Sequence, residues 1–94
     1  MNINKISVEN MVSSSGNKIA NQFVIWTDEG KYFQSYNSVI AFIPFDKNEK
    51  TILDEYYWDY SRTTGKYRND FLNEYKADTE KNIKSGEYLL SNLN

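Results

Sequence analysis

Three carboxylates, Asp54, Glu55 and Asp59, lie within six positions of one another, just before the most aromatic stretch of the chain. Paired carboxylates can perform general acid–base chemistry or hold a divalent cation. That chemistry needs convergence in a pocket with polar support, and no motif in the sequence supplies it. A solvated acidic turn ahead of a helix, whose N-terminus favours negative charge, explains the same residues. An enzyme acting through these carboxylates is therefore the third of three hypotheses, and we predict no catalytic residue and no metal ligand.

A second set of side chains mixes cations with aromatic rings. Arg62, Lys66 and Arg68 lie among Tyr60 and Tyr67, a combination that can contact phosphates and stack on bases. The formal net charge is −2 and the rest of the chain offers no extended basic surface, so phosphate contacts would be few. The cations can equally pair with the nearby carboxylates while their stems cover tyrosine rings. A small nucleic-acid-binding or regulatory module is thus the second hypothesis.

Other common chemistries are excluded by composition. The chain has no histidine and no cysteine, which removes imidazole triads, thiolate metal sites and a disulfide framework. Ser61, Thr63 and Thr64 have no imidazole partner, so we interpret these hydroxyls as helix-start residues. The four glycines are too scattered for a phosphate-binding loop. We expect no cofactor.

Tyrosine is unusually abundant, with eight in 94 residues. Tyr and Trp are enriched at protein interfaces because they combine apolar area with a hydrogen-bonding tip. We assign Phe23, Trp26, Trp58 and Phe71 to the core. The predicted partner-binding residues are Tyr56, Tyr57, Tyr60, Arg62, Lys66, Tyr67 and Arg68. For the tyrosines of this set, partial burial explains the sequence about as well as an exposed recognition patch does.

The first half of the chain has the pattern of an antiparallel sheet. A strand is predicted over part of residues 3–12, and the turn Glu29-Gly30 joins residues 21–28 and 31–36 as a β-hairpin. A third strand of the meander covers residues 39–45, with Pro44 at its end or on an edge. A short returning strand follows at residues 51–53. This predicts four to five strands.

The period changes to that of a helix near Ser61. Apolar and aromatic side chains recur at spacings of three and four, which predicts a helix from about Ser61 to Tyr75 with Asp59 or Ser61 as its N-cap. A short second helix is predicted over residues 77–85, with Asp78 or Thr79 as its N-cap and Gly86 just past its end. Residues 87–90 form a final edge strand or an extended tail. The fold class is α+β, in one small domain spanning residues 1–94.

The location follows from what the sequence lacks. The first ten residues contain no apolar run typical of a signal peptide, and no apolar run reaches the length of a bilayer span. Together with the missing cysteines, this predicts a protein of a reducing cytoplasm without a membrane partner. The oligomeric state is not set by the sequence.

Two segments carry a family resemblance: YFQSYNSVIA at 32–41 and YWDYSRTTGKYRNDFL at 57–72. The chain resembles a family of small uncharacterised proteins from phages, prophages and plasmids of low-GC Gram-positive bacteria. The shared positions are Phe33, Gln34, Ser35 and Tyr36, then Trp58, Asp59, Tyr60, Ser61, Thr63, Thr64, Lys66, Tyr67, Phe71 and Leu72. The resemblance covers residues 21–90 and implies no assigned activity.

A mobile-element origin, as the resemblance implies, favours a non-catalytic protein that inhibits a host enzyme or a defence protein. Our first hypothesis is therefore a stoichiometric binding protein of the anti-CRISPR type, which occludes a functional surface of its partner with an aromatic, mixed-charge patch. The alternative remains the nucleic-acid-binding module that uses helix 61–75.

Overall fold

The protein is an α+β structure, described here for residues 6–94 of a computed structural model. Residues 3–5 of the first predicted strand lie outside the described range. The elements in chain order are β1 (Ser7–Val12), β2 (Lys18–Trp26), β3 (Gly30–Ser35), β4 (Ser38–Pro44), β5 (Thr51–Asp54), α1 (Arg62–Leu72), α2 (Lys76–Ser85) and β6 (Tyr88–Ser91). The predicted fold class is confirmed, and Pro44 ends its strand as expected.

All six strands form one sheet in the order in which they occur along the chain. Strands β1 to β5 are joined by short turns and pair antiparallel, which is the predicted meander. The last strand, β6, pairs with β5 in parallel because both helices lie between them and return the chain to the same end of the sheet. The predicted final edge strand is therefore present.

The core lies between the sheet and the helices. Its buried apolar residues are Phe33, Ile40, Ala41, Leu53 and Phe71, and the rings of Phe33 and Phe71 stack with centroids 5.6 Å apart. Trp58 is partly buried against this cluster. Of the four residues assigned to the core from the sequence, only Phe71 is buried.

The assignment of Phe23 and Trp26 to the core is wrong. Both are only partly buried. Phe23 pairs in register with Asn10 and Gln34, and strand alternation places it on the face away from the helices, opposite to its neighbour Val24. Trp26 lies on the helix side, near one end of the sheet, where Lys31 Nζ is 5.3 Å from its ring centroid. Strand propensity identified these residues correctly, but burial depends on where the helices cover the sheet.

The predicted first helix ends earlier than its periodicity suggested. Ser61 is the N-cap, as expected, and its Oγ accepts a hydrogen bond from the backbone N–H of Thr64 at 3.1 Å. The helix stops at Leu72 because Asn73 adopts the left-handed conformation (φ 56°, ψ 48°). Tyr75, predicted as part of this helix, instead precedes α2 and is 80% exposed.

The second helix begins at Lys76, with Tyr75 rather than Asp78 or Thr79 as its N-cap. Asp78 Oδ2 accepts from the backbone N–H of Tyr75 at 3.1 Å. Gly86 ends the helix with φ 84°, as predicted. Within residues 6–94, no helix has the length and apolar character needed to cross a bilayer.

Candidate functional site

The turn between β5 and α1, residues 55–60, is shaped by the buried carboxylate of Asp54. Its Oδ2 accepts hydrogen bonds from the backbone N–H groups of Tyr56 (3.1 Å) and Tyr57 (2.9 Å). Its Oδ1 accepts from the backbone N–H of Leu93 (2.8 Å) and from Asn94 Nδ2 (3.0 Å). Burial alone would raise the pKa of Asp54, but these four hydrogen bonds stabilise the anion and lower the pKa overall. The carboxylate therefore organises the turn.

Arg68 connects the same turn to α1. Its side chain is 1% exposed and its Nη1 donates to the backbone carbonyl of Trp58 at 2.6 Å and to Asp59 Oδ1 at 3.2 Å. Its Nη2 donates to Asn69 Oδ1 at 3.1 Å, and the guanidinium carbon is 5.1 Å from the centroid of the Trp58 ring. Gly65 faces the guanidinium one turn earlier, where an added Cβ would come within 3.6 Å of it. The guanidinium is enclosed by the chain's own groups.

Asp59 is shared by two cations. Besides Arg68, it pairs with Lys76 at the start of α2, with Nζ 2.7 Å from Oδ2. Burial would raise the pKa of Asp59, but the hydrogen bonds and charges of Lys76 and Arg68 outweigh it and hold the pKa below its ordinary value. Asp59 and Asp54 thus serve different networks. Within residues 6–94, no three carboxylates come together in a way that could hold a metal ion.

Tyrosines project from this braced turn into solvent. Tyr56 is 75% exposed, Tyr57 37% and Tyr60 47%. The rings of Tyr57 and Tyr60 meet edge to face, with centroids 5.4 Å apart and planes 81° apart. Edge-to-face packing is a favourable arrangement of two aromatic rings.

Arg62 and Lys66, two exposed cations on the first turns of α1, line an open groove together with Tyr60. We call the five exposed residues, Tyr56, Tyr57, Tyr60, Arg62 and Lys66, the aromatic–basic surface. These are the five of the seven predicted partner-binding residues that are exposed. Tyr67 is half-buried and packs against the core, with Lys66 Nζ 5.3 Å from its ring centroid. Arg68 is buried, and we leave both outside the surface.

An open groove of about 1030 Å³ runs along α1 beside this surface. Tyr60, Arg62 and Lys66 line one part of it, and Glu74, Tyr75 and Lys76 line another. The second group was missed by sequence reasoning, because the turn at Asn73 that brings it back beside α1 was read as helix. The signal that could have revealed this turn is Asn73 itself. Asparagine tolerates the left-handed conformation and often ends a helix. Polar and apolar surface contribute about equally to the groove, and charges of both signs line it.

A family model, "Family of unknown function (DUF8033)", matches residues 6–87. The match covers most of the chain and nearly all of the described residues. It includes the whole aromatic–basic surface and both helices. Searches of curated proteins and of solved structures found no match. The chain therefore belongs to this family of unknown function.

Proposed function

We propose that this member of the DUF8033 family is a stoichiometric binding protein of a phage or other mobile element, and that it inhibits a host or defence protein, for example a CRISPR effector. The inhibition would come from covering a functional surface of the partner. The mobile-element origin rests on the resemblance of residues 21–90 to proteins of phages, prophages and plasmids. The binding mode rests on the aromatic–basic surface.

The observation that carries the proposal is the exposed tyrosine cluster on a rigid support. Three tyrosines in five positions project from a turn whose backbone is held by Asp54 and Arg68. Buried hydrogen bonds that fix a surface loop lower the entropy lost on binding. Exposed aromatic rings next to arginine and lysine are typical of the residues that dominate binding energy at protein interfaces.

The charge of the surface suggests what the partner offers. Arg62 and Lys66 are exposed and form no ion pair with another described residue. Arg68 and Lys76 are already paired with Asp59. A partner surface with apolar pockets for tyrosine rings and one or two carboxylates at its rim would complement this arrangement.

The alternative, a nucleic-acid-binding module, uses the same groove. Arg62 and Lys66 line it together with Tyr60, so two phosphates and one stacked base could be contacted. The burial of Arg68 removes one of the three cations on which this hypothesis depended. Binding of a short single-stranded oligonucleotide that weakens steeply with added salt would favour the alternative; no binding at low salt would exclude it.

The proposal is tested by affinity capture from bacterial lysates that carry a range of defence systems. The bait is compared with its Tyr56→Ala/Tyr60→Ala/Lys66→Ala variant. A true partner is captured by the parent protein, is lost with the triple variant, and loses its own activity at about one equivalent of the parent. Each central residue is expected to contribute about 1–4 kcal/mol to binding.

Phe45→Ala provides the matched control. Phe45 is 52% exposed, close to the 47% of Tyr60, but it lies after β4, outside the aromatic–basic surface. The control should capture the same partner as the parent. Recovery of no partner, or equal capture by the triple variant, would contradict the proposal.

A further inference from the structure

One side chain from each strand lies in a single row across the sheet. The cross-strand register joins them directly, pair by pair, from the first strand to the last. We call this set the apolar row: Val8, Ile25, Tyr32, Phe42, Ile52 and Leu89. The rings of Tyr32 and Phe42 are in contact at its centre, with centroids 4.5 Å apart.

The apolar row lies on the face of the sheet away from the helices. The adjacent row contains Phe33, Ala41 and Leu53, which pack with Phe71 of α1 in the core. Because successive side chains in a strand point to opposite faces, the apolar row is on the other side. Among residues 6–94, neither helix covers it. Phe42 at its centre is only 7% exposed, and the most accessible members are Val8 (63%) and Leu89 (46%) at its two ends.

A shallow hollow of about 270 Å³ interrupts this face. Ile25 and Tyr32 of the apolar row form part of its wall, and Leu93 of the C-terminal segment forms another part. Its lining is apolar except for the side chain of Thr27 and the hydroxyl of Tyr32. The hollow can take apolar side chains from a second surface.

Among residues 6–94, the centre of this face presents no exposed charge. Asp54, which alternation from Ile52 places on the same face, is fully buried, and its carboxylate accepts hydrogen bonds from Tyr56, Tyr57, Leu93 and Asn94. The chain carries 11 basic and 13 acidic residues, yet the apolar row contains none, and the next row on the same face is Asn10, Phe23, Gln34 and Val39. Charged groups occur at its margin: Lys18 is paired with Val12 at one corner, and Glu29 in the turn before β3 acts electrostatically on Tyr32. An apolar centre with a charged rim is the anatomy of a protein interface.

We propose that this face binds the same face of a second copy of the chain, forming a symmetric dimer. In a twofold dimer each residue meets its own counterpart or that of a neighbour in the row, so a charged face would repel itself. The apolar row meets itself without burying an unpaired charge. The apolar face of one copy can therefore cover the apolar face of the other.

The size of the face fits a dimer interface. Six strands about 4.8 Å apart, each about 20 Å long, give a face of about 500 Å² and about 1,000 Å² for two copies. That is about the smallest area expected of a biological interface, below the usual range of about 1,200–2,000 Å², and it predicts a weak dimer. The molecule measures 35 × 33 × 21 Å, and a sheet carrying one layer of helices has the open sheet face as one of its broad sides.

The dimer is independent of the proposed inhibitory function. The groove beside α1 lies on the helix side of the sheet, so dimerisation leaves it open. Two copies would present two aromatic–basic surfaces, which allows bivalent binding to a partner that is itself repeated.

Adjacent residues of β6 provide a matched test. Leu89 is 46% exposed and belongs to the apolar row, whereas Leu90 is 45% exposed and pairs with Leu53 on the helix side. Sedimentation velocity should show the parent at twice the chain mass of 11.1 kDa. Leu89→Glu should raise the dissociation constant about 100-fold or more, because each copy would bury a charge. Leu90→Glu should leave it within about threefold.

Two results would overturn the proposal. One is a parent protein that remains a monomer at the concentrations used for NMR. The other is dissociation by Leu90→Glu to the same degree as by Leu89→Glu, which would place the contact on another face. Near-UV circular dichroism establishes that both variants are folded. Isotope-filtered NOEs between labelled and unlabelled copies should connect Tyr32 and Phe42 across the interface, and their absence in a dimer would also exclude this face.

Discussion

Arg68 is buried in the protein, where an arginine is not usually found. Arginine is rarely buried without partners, and the sequence assigned this residue to an exposed patch. In the structure its guanidinium has donor contacts to Trp58, Asp59 and Asn69. Sequence periodicity could place Arg68 on a different side of the helix from Arg62 and Lys66. It could not show that a turn ten residues earlier closes over that side.

The structural role of Arg68 predicts a loss of stability on truncation. Arg68→Ala should lower the free energy of unfolding by about 3 kcal/mol, because the carbonyl of Trp58 loses its donor and Asp59 keeps only Lys76. Urea denaturation measures the change. Arg62→Ala, at an exposed cation, should remain within about 0.5 kcal/mol of the parent. Equal stability of the Arg68 and Arg62 variants would show that the buried network contributes nothing.

Asp54 predicts how stability depends on pH. Its pKa is lower in the folded chain than in the unfolded one, so its stabilisation is complete above the unfolded value of about 3.9 and is lost as pH falls through the folded pKa. Asp54→Asn should lower the free energy of unfolding at pH 7 by about 2 kcal/mol, since the amide replaces an acceptor with a donor.

The measurement for Asp54 is urea denaturation at several pH values between neutral and strongly acidic. The parent should lose more stability than Asp54→Asn as pH falls below the unfolded value. Glu49→Gln, which alters an exposed carboxylate, should keep the parent's profile. If the Asn variant lost stability on acidification as steeply as the parent, the hydrogen bonds of Asp54 would not be the cause.

At the scale of elements, the sequence predicted which strands and helices exist better than it predicted where they end. The strands were identified from β-branched and aromatic runs between turn residues, and the hairpin around Gly30 pairs in the expected way. The helix was extended to Tyr75 because Tyr67, Phe71 and Tyr75 share a spacing of four. The spacing of apolar side chains does not reveal a single residue in the left-handed conformation. Asn73 is such a residue, and it reverses the chain. The parallel pairing of β6 was also not predicted, because it depends on where the two helices return the chain to the sheet.

Asn73 should be sensitive to substitution according to its backbone conformation. Asn73→Ala is expected to lower the free energy of unfolding by about 1 kcal/mol, because a Cβ in the left-handed region is strained and asparagine tolerates it better than alanine. Asn73→Gly should be as stable as the parent or slightly more so. Thermal and urea unfolding of the pair measure this. Equal destabilisation by both substitutions would indicate that the asparagine side chain, not the backbone, matters.

For the whole molecule, the two broad sides have different character. The helix side carries the groove that Tyr60, Arg62 and Lys66 line, whereas the other side of the sheet carries the apolar row. Strand alternation alone places Phe23 and Ile25 on one face of the sheet. The sequence could not show that Val8 and Leu89, 81 positions apart, lie at the two ends of one row. That alignment depends on the register of the strands, which is set by bulges such as the one between Phe33 and Gln34.

If the apolar row forms a dimer, the stability of the protein must depend on its concentration. Unfolding of a dimer releases two chains, so mass action favours the folded state as concentration rises. Over roughly a hundredfold range of concentration, the thermal midpoint of the parent should increase by about 5–10 °C. The Leu89→Glu variant should melt at a midpoint that does not change over the same range, and Leu90→Glu should follow the parent. A parent midpoint independent of concentration would mean that the folded unit is a single chain and that the sheet face is not closed by a second copy.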